Sequence, residues 1–359
     1  MKVLFITRKY PPSTGGMELF AYDLHGALAT KIDVKLVKWS GTGRLKAVLV
    51  ALPTLAIKST AALIKGDVDV IHAQDGVLAP LGYILSKLFR KPFVVVIHGL
   101  DLTYRNPIFR VFVPWCVRRA DTVFCISQSA ASEAEKHGVA KTKLHVIPLA
   151  VTDKIYGKSS RKTLLEQLHL PSETKLLLTV GRLVKRKGVA WFIDAVLPDL
   201  VNQYPGIVYL VVGEGPERRS IEIAIRHHKL DKNVRLLGRV TDSLYEAAYN
   251  GADVFVMPNI TVPGDMEGFG LVLLEASVCA LPVVASGTEG IKDAISDGRN
   301  GVLVPVGDSA IFTKQIRLFL EDLAYAKKFG EASRHYSLAT YQWVKLADQY
   351  IDNYEKLLD

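Results

Sequence analysis

Two glutamates, Glu267 and Glu275, bracket the stretch EGFGLVLLE, with only glycine, phenylalanine, leucine and valine between them. Burying an unpaired carboxylate costs several kcal/mol, so each needs a partner or a ligand. Gly268 and Gly270 allow close approach of backbone to a ligand. A helix is expected from about Gly270 or Leu271, and its first amides, free of internal partners, attract anions. Glu267 then lies in the loop beside those amides and Glu275 about one turn inside the helix. A carboxylate fork matches the paired hydroxyls of a ribose, which suits Glu275, and Glu267 can hold a sugar ring in the same way.

A second constellation is VGRLVKRKG (180–188), with Arg182, Lys185, Arg186 and Lys187 ahead of Gly188. Four cations at the end of an apolar run form an anion trap. Arginine supplies a planar fork and lysine a point charge, and both suit a diphosphate. VVGEGPER (211–218) offers Gly213 and Gly215 for a tight turn, a pattern as compatible with a structural turn as with a ligand contact. KYPPSTGGMELF (9–20) places Gly15 and Gly16 before a helix. It is not G-x-G-x-x-G, which argues against an ordinary dinucleotide fold. VVVIHGLD (94–101) sets His98 at the end of an apolar run with Asp101 three residues on, and VIHAQDG (70–76) repeats this with His72 and Asp75. These four are the candidates for sugar or acceptor contact.

The elements that must position these residues are short apolar runs alternating with helical stretches: 2–7, 33–39, 67–73, 92–98, 122–127 and 144–149, then 175–181, 207–215, 234–238, 252–258, 282–287 and 301–305. Near-continuous apolar strands separated by helices indicate parallel sheets covered on both faces. The 359 residues exceed one ordinary core. Two doubly wound α/β domains are expected, 1–152 and 163–339, with VTDKIYGKSSRK (151–162) as the linker and ligands at the carboxyl ends of the strands, in a cleft facing both domains.

Charge is unevenly spread. Residues 1–150 hold 20 Lys and Arg against 10 acids, whereas 151–359 hold 25 against 26. The basic half is expected to meet something anionic. RLKAVLVALPTLAIKSTAALIK (44–65) has apolar residues at helical spacing, with a kink or break expected at Pro53, and its uncharged run from Ala47 to Ile57 is too short to span a bilayer. YRNPIFRVFVPWCVRR (104–119) mixes aromatics with Arg105, Arg110, Arg118 and Arg119, an interfacial composition. The start, MKVLFITRKYPP, does not read as a signal peptide. Cys116, Cys125 and Cys279 form no C-x-x-C pair and read as core residues in a reducing, cytoplasmic compartment. No recognised nucleic-acid motif accompanies the high pI, so nucleic acid is not an expected partner.

The ordered set GGME, HGLD, GRLVKRKG, VGEGPER, LGRV, EGFGLVLLEA, LPVVASGTEGIKDAISDGRNGVLVP and the closing ATYQWVKLADQYIDNYEKLL resembles the retaining glycosyltransferases of the GT-B fold that carry an E-x7-E motif. The resemblance covers nearly the whole chain. It implies two Rossmann-like domains, with a closing helix of about 340–359 returning to the first. It also implies a nucleotide-sugar donor, UDP- or GDP-linked, used with no cofactor. No D-x-D motif stands at a plausible site, DVD (67–69) reading as the start of a strand in the first domain, so no metal is expected. Arg182 and Lys187 would bind the donor's diphosphate, with Gly15, Gly16 and Gly213 nearby, and Glu275 would hold the ribose. Glu267, with the backbone of Gly268, Phe269, Gly270 and Leu271, would hold the sugar and β-phosphate, and His98 would face the reacting carbon. The base would lie near Arg239 and Val240. His72, Asp75 and Asp101 are the acceptor candidates. Together with the basic first half, this implies a lipid-linked or membrane-associated acceptor and a peripheral location at the inner face of the cell membrane. Two stretches depart from the pattern. NITVPGD lengthens the loop before Glu267, and Thr288-Glu289 stands where relatives commonly carry paired glycines. Rival readings are an epimerase, a transferase acting on a soluble acceptor, and a phosphorylase, which would need a longer chain.

Overall fold

A computed structural model describes the backbone of residues 1–13, 15–39, 45–103, 107–157 and 159–359, and side chains for all of these except 45–49 and 107–108. Arg44, Lys46, Arg105 and Lys158, which fall in the segments above, lie outside the residues whose side chains are described. The chain divides into two compact units, Met1–Ala150 with Tyr341–Asp359, and Val151–Thr340.

The first unit holds β1 (Lys2–Thr7), β2 (Asp33–Lys38), β3 (Val70–Ala73), β4 (Phe93–Ile97), β5 (Thr122–Cys125) and β6 (Leu144–Val146), all parallel in the order β2-β1-β3-β4-β5-β6. The second holds β7 (Leu176–Val180), β8 (Val208–Val212), β9 (Val234–Gly238), β10 (Val254–Met257), β11 (Val283–Ser286) and β12 (Val302–Val304), parallel in the order β12-β11-β10-β7-β8-β9. The apolar runs become these strands because helices cover both faces. Every residue of β4, β7 and β8 is buried. The edge strand β2, DVKLVK, instead alternates charge with aliphatic residues and exposes its charges, which blunts the open edge.

The helix Trp343–Glu355 packs within the first unit. Tyr350 lies 4.5 Å from the Phe124 ring, and Trp343 stacks 5.8 Å from Phe20. Tyr350 and Tyr354 are fully buried, each worth about 2 kcal/mol in apolar area removed from water. The helix Leu45–Ile64 runs on through Pro53, where the sequence suggests a kink or break. Residues 151–157, expected as linker, are tied to the second unit instead. The Gly157 N–H donates to Asn250 Oδ1 at 2.8 Å, Asn250 Nδ2 donates to the Ile155 carbonyl at 2.7 Å, and Arg334 covers the Tyr156 ring at 3.5 Å.

Candidate functional site

The second sheet starts at β7, grows through β8 and β9 to one side, and continues with β10, β11 and β12 on the other. The loops after β7 and β10 therefore flank the point where an open α/β sheet offers its ligand crevice. VGRLVKRKG is the first of these loops and NITVPGDMEGFG the second. The Ile260 N–H donates to the Arg186 carbonyl at 2.9 Å. Gly188 has φ +65°, and a Cβ there would lie 1.9 Å from the Pro258 carbonyl oxygen, so only glycine lets the loops close.

The loops meet at Glu267. Lys187 Nζ lies 2.7 Å from Glu267 Oε2, and Asn259 Nδ2 donates to the same oxygen at 3.0 Å. Arg186 Nε is 3.6 Å from it and Arg186 Nη1 3.5 Å from Asp265. Lys187 and Glu267 are only 8% and 7% exposed. Burial pushes the Glu267 carboxyl up, but Lys187, Arg186 and the hydrogen bonds from Lys187 and Asn259 outweigh it and hold the carboxyl below its usual range. Glu267 is therefore ionised at neutral pH. Asn259 is oriented by its donation to the carboxylate, which leaves its Oδ1 buried with no hydrogen bond among the described residues. A buried acceptor left in this way costs about 1–3 kcal/mol. Arg182 is exposed with no ion pair among the described residues.

The loop after β11 closes over the other side of Glu267. The Glu267 N–H donates to Glu289 Oε2 at 2.5 Å, and the Gly290 N–H donates to the Glu267 carbonyl at 3.2 Å. Glu289 has φ +44°, a conformation that L side chains rarely adopt. Burial raises its carboxyl pKa against the opposing amide of Glu267, and the Glu267 and Asp265 carboxylates push it the same way.

The helix Leu271–Val278 starts at Gly270 with no side-chain cap. Its first amides, that of Leu271 among them, are thus left without a side-chain cap, and they follow Gly268 and the buried Phe269 in the chain. Glu275, partly buried on this helix, accepts hydrogen bonds on Oε2 from Tyr245 at 2.8 Å and Tyr249 at 3.0 Å. Burial raises its pKa, and the two tyrosine hydroxyls only partly offset this. Arg239 and Val240 follow β9, and Arg239 is 83% exposed, 3.4 Å from Glu214. Gly213 meets protein backbone. A Cβ there would lie 2.0 Å from the Gly181 carbonyl oxygen, which gives this glycine a packing role between the loops after β7 and β8.

In the first unit, Gly15 precedes the helix Gly16–Ala29, and Gly16 faces open space. Arg8, after β1, pairs with Asp75, after β3, at 2.9 Å, and Asp75 Oδ1 also accepts the Val77 N–H. His98 follows β4, 9% exposed, with Nε2 2.9 Å from the Gln74 carbonyl. A carbonyl only accepts, so Nε2 is the donor in this contact. Asp101 Oδ2 accepts the His98 N–H at 2.8 Å, and its pKa is raised by burial, opposed by His98 and reinforced by Asp75. His72 is inside β3 and fully buried. Its Nδ1 accepts from Tyr354 at 2.7 Å and its Nε2 donates to Gln74 Oε1 at 2.8 Å. Of the acceptor candidates, His72 thus holds the closing helix, Asp75 is neutralised by Arg8, and Asp101 shapes the His98 turn.

The family described as Glycosyl transferases group 1 matches residues 160–336, and Glycosyltransferase Family 4 matches 14–154. The chain belongs to these glycosyltransferases. It is 27% identical over 364 residues to the GDP-mannose-dependent alpha-(1-6)-phosphatidylinositol monomannoside mannosyltransferase of Mycolicibacterium smegmatis, covering 95% of each chain. The GT-B fold is shared with sucrose-phosphate synthase of Thermosynechococcus elongatus, at a TM-score of 0.79 and 23% identity over 99% of this chain and 98% of that one. It is shared as well with Anabaena HepE in complex with UDP-glucose, at 0.79 and 21% over 99% and 100%.

In this glycosyltransferase, sequence reasoning finds both glutamates but misses Asn259, Tyr245, Tyr249 and Gln74, which orient the candidate groups. Of these, only Asn259 falls in the lengthened NITVPGD loop, and the departure at Thr288-Glu289 carries no role in the sequence alone.

Proposed function

We propose that this glycosyltransferase moves a hexose from a UDP- or GDP-sugar to a lipid-linked glycan or another membrane-associated acceptor, with retention at the anomeric carbon. The observation that carries the donor reading is the Lys187–Glu267 pair, flanked by Arg186 and open-sided Arg182, at the switch point of the second sheet. Lys187 and Arg182 take the diphosphate, Glu275 the ribose, and Glu267 with the amides of the helix Leu271–Val278 the sugar and β-phosphate. The C1–O bond to the β-phosphate breaks and its electron pair leaves with the phosphate. The acceptor oxygen bonds to C1 on the same face, and its proton passes to the leaving phosphate oxygen. Fixed cations stabilise that developing charge and stand in for a metal. His98 is assigned to the sugar near C1.

The acceptor reading is supported by the chain's likeness to an enzyme named for a phosphatidylinositol mannoside, and by the surface of the first unit. Val50, Ile57 and Ile64 are exposed at seven-residue spacing on Leu45–Ile64, Ile84 and Leu88 on Ala79–Phe89, and Val111 and Phe112 on Pro107–Val117. Lys58, Lys87 and Arg110 are exposed on the same helices. No helix among the described residues is long and apolar enough to cross a membrane. Contact with the anionic inner face of the membrane is the mode that this basic, apolar surface fits. Labelled UDP- and GDP-sugars, supplied with extracted membrane lipid and EDTA, test the proposal. Label in lipid with the donor's anomeric configuration is expected. Inversion, or dependence on added metal, would contradict it.

A further inference from the structure

The donor-sugar end of the site holds an acidic side chain where a glycine would relieve the backbone. Glu289 keeps φ +44° and spends one carboxylate oxygen, Oε2, on the Glu267 amide. Its other oxygen, Oε1, has no hydrogen bond among the described residues. On the carboxylate side of Glu267, the buried amide of Asn259 likewise leaves Oδ1 without a donor. Glu267 itself presents a carboxylate. Two loops, those after β10 and β11, therefore place three acceptor-bearing side chains, Asn259, Glu267 and Glu289, in contact with one another, and the neighbouring cations Lys187 and Arg186 are engaged with Glu267 and Asp265.

We infer that Glu289 is a specificity-determining residue that selects a neutral, hydroxyl-rich sugar on the donor and rejects a sugar acid. The inference rests on the donor-site reading above. Acceptors need hydroxyl hydrogens, which a hexose supplies and a carboxylated sugar replaces at C6 with a further negative charge. Glu289 tolerates its backbone conformation because its carboxylate fixes the Glu267 peptide and so aims the Glu267 side chain.

The test is calorimetric titration of UDP, UDP-glucose, UDP-glucuronate, GDP, GDP-mannose and GDP-mannuronate into wild type, Glu289→Gln and Glu289→Gly. Glu289→Gly relieves the positive φ, so thermal stability is expected to hold. Free nucleotide should bind all three proteins alike. The gain in affinity from the neutral sugar should fall about ten-fold in Glu289→Gly, and Glu289→Gln should restore part of it. Discrimination against the sugar acid should relax in both variants. Normal nucleotide binding with an unchanged sugar gain, or equal binding of neutral and acidic sugars by the wild type, would overturn this inference alone. Failure of every nucleotide to bind would overturn the donor-site reading and this inference with it.

Discussion

Lys187 Nζ and Glu267 Oε2 lie 2.7 Å apart, and this buried contact is among those that join the two loops flanking the switch point of the second sheet. A buried ion pair contributes little net stability, because desolvation offsets the attraction. Here it keeps a cation buried and aimed where a diphosphate would take over from the carboxylate. Arg8 and Asp75 join the corresponding loops of the first unit in the same way, at 2.9 Å.

Gly188→Ala tests that closure. The added Cβ would meet the Pro258 carbonyl oxygen at 1.9 Å and would sit at a positive φ. The substitution is expected to cost about 1–3 kcal/mol and to separate the loops. Chemical denaturation should show the loss, and transfer activity should fall more than ten-fold in protein that remains folded.

Glu275 should give nucleotide binding an acid limb. Its carboxyl pKa is raised, and only the ionised form accepts two ribose hydroxyls. Affinity should therefore fall as pH falls through that raised value. The tyrosine hydroxyls lower the pKa, so Tyr245→Phe and Tyr249→Phe should each move the limb to higher pH. Calorimetry at a series of pH values checks the direction. For stability the sign is opposite. The folded state holds the Glu275 proton more tightly than the unfolded chain, so its contribution is present at low pH and lost as pH rises. Glu275→Gln should then melt higher than wild type at neutral pH, by roughly 2–4 °C for each kcal/mol gained.

His72 should make the first unit acid-sensitive. Burial lowers its pKa to about 4, against an ordinary 6.5. The unfolded chain binds the proton first, so stability is full above about pH 6.5 and lost as pH falls toward 4. The loss amounts to about 3 kcal/mol. His72→Phe leaves Tyr354 and Gln74 unpaired and is weaker at neutral pH, but its denaturation midpoint should fall less between pH 6.5 and 4.

Flotation with phosphatidylglycerol vesicles checks the membrane surface. Wild type should float at low salt and less at high salt, since each basic side chain near the surface is worth about 1 kcal/mol. Ile57→Asp and Val111→Asp, both at exposed positions, should weaken flotation without affecting folding. Binding only to neutral lipid, or none, would contradict the prediction.

The fold was legible because β4, β7 and β8 are buried along their whole length and so read as near-continuous apolar runs. Glu267 and Glu275 stood out for the opposite reason, as carboxylates in an apolar stretch. Their partners did not stand out. Asn259 reaches Glu267 from eight residues earlier in the same loop, Glu289, Tyr245 and Tyr249 reach the pair from other loops and helices, and single polar or aromatic side chains leave no periodic trace. His72 and His98 show the limit most plainly. Each precedes an aspartate by three residues near a strand end. His72, however, lies inside β3, opposite Phe5 and Val94, and turns into the core, whereas His98 lies one residue past β4. Two residues relative to the strand end separate a core histidine from a candidate catalytic one.

The most direct measurement is titration of UDP, GDP and ADP, with EDTA present, into wild type, Lys187→Ala and Glu275→Gln. The account predicts tight binding of one nucleoside diphosphate to the wild type, weakened about ten-fold or more in each variant, with the parent nucleoside losing affinity only in Glu275→Gln. Equal binding by all three proteins would contradict the assignment of diphosphate to Lys187 and ribose to Glu275.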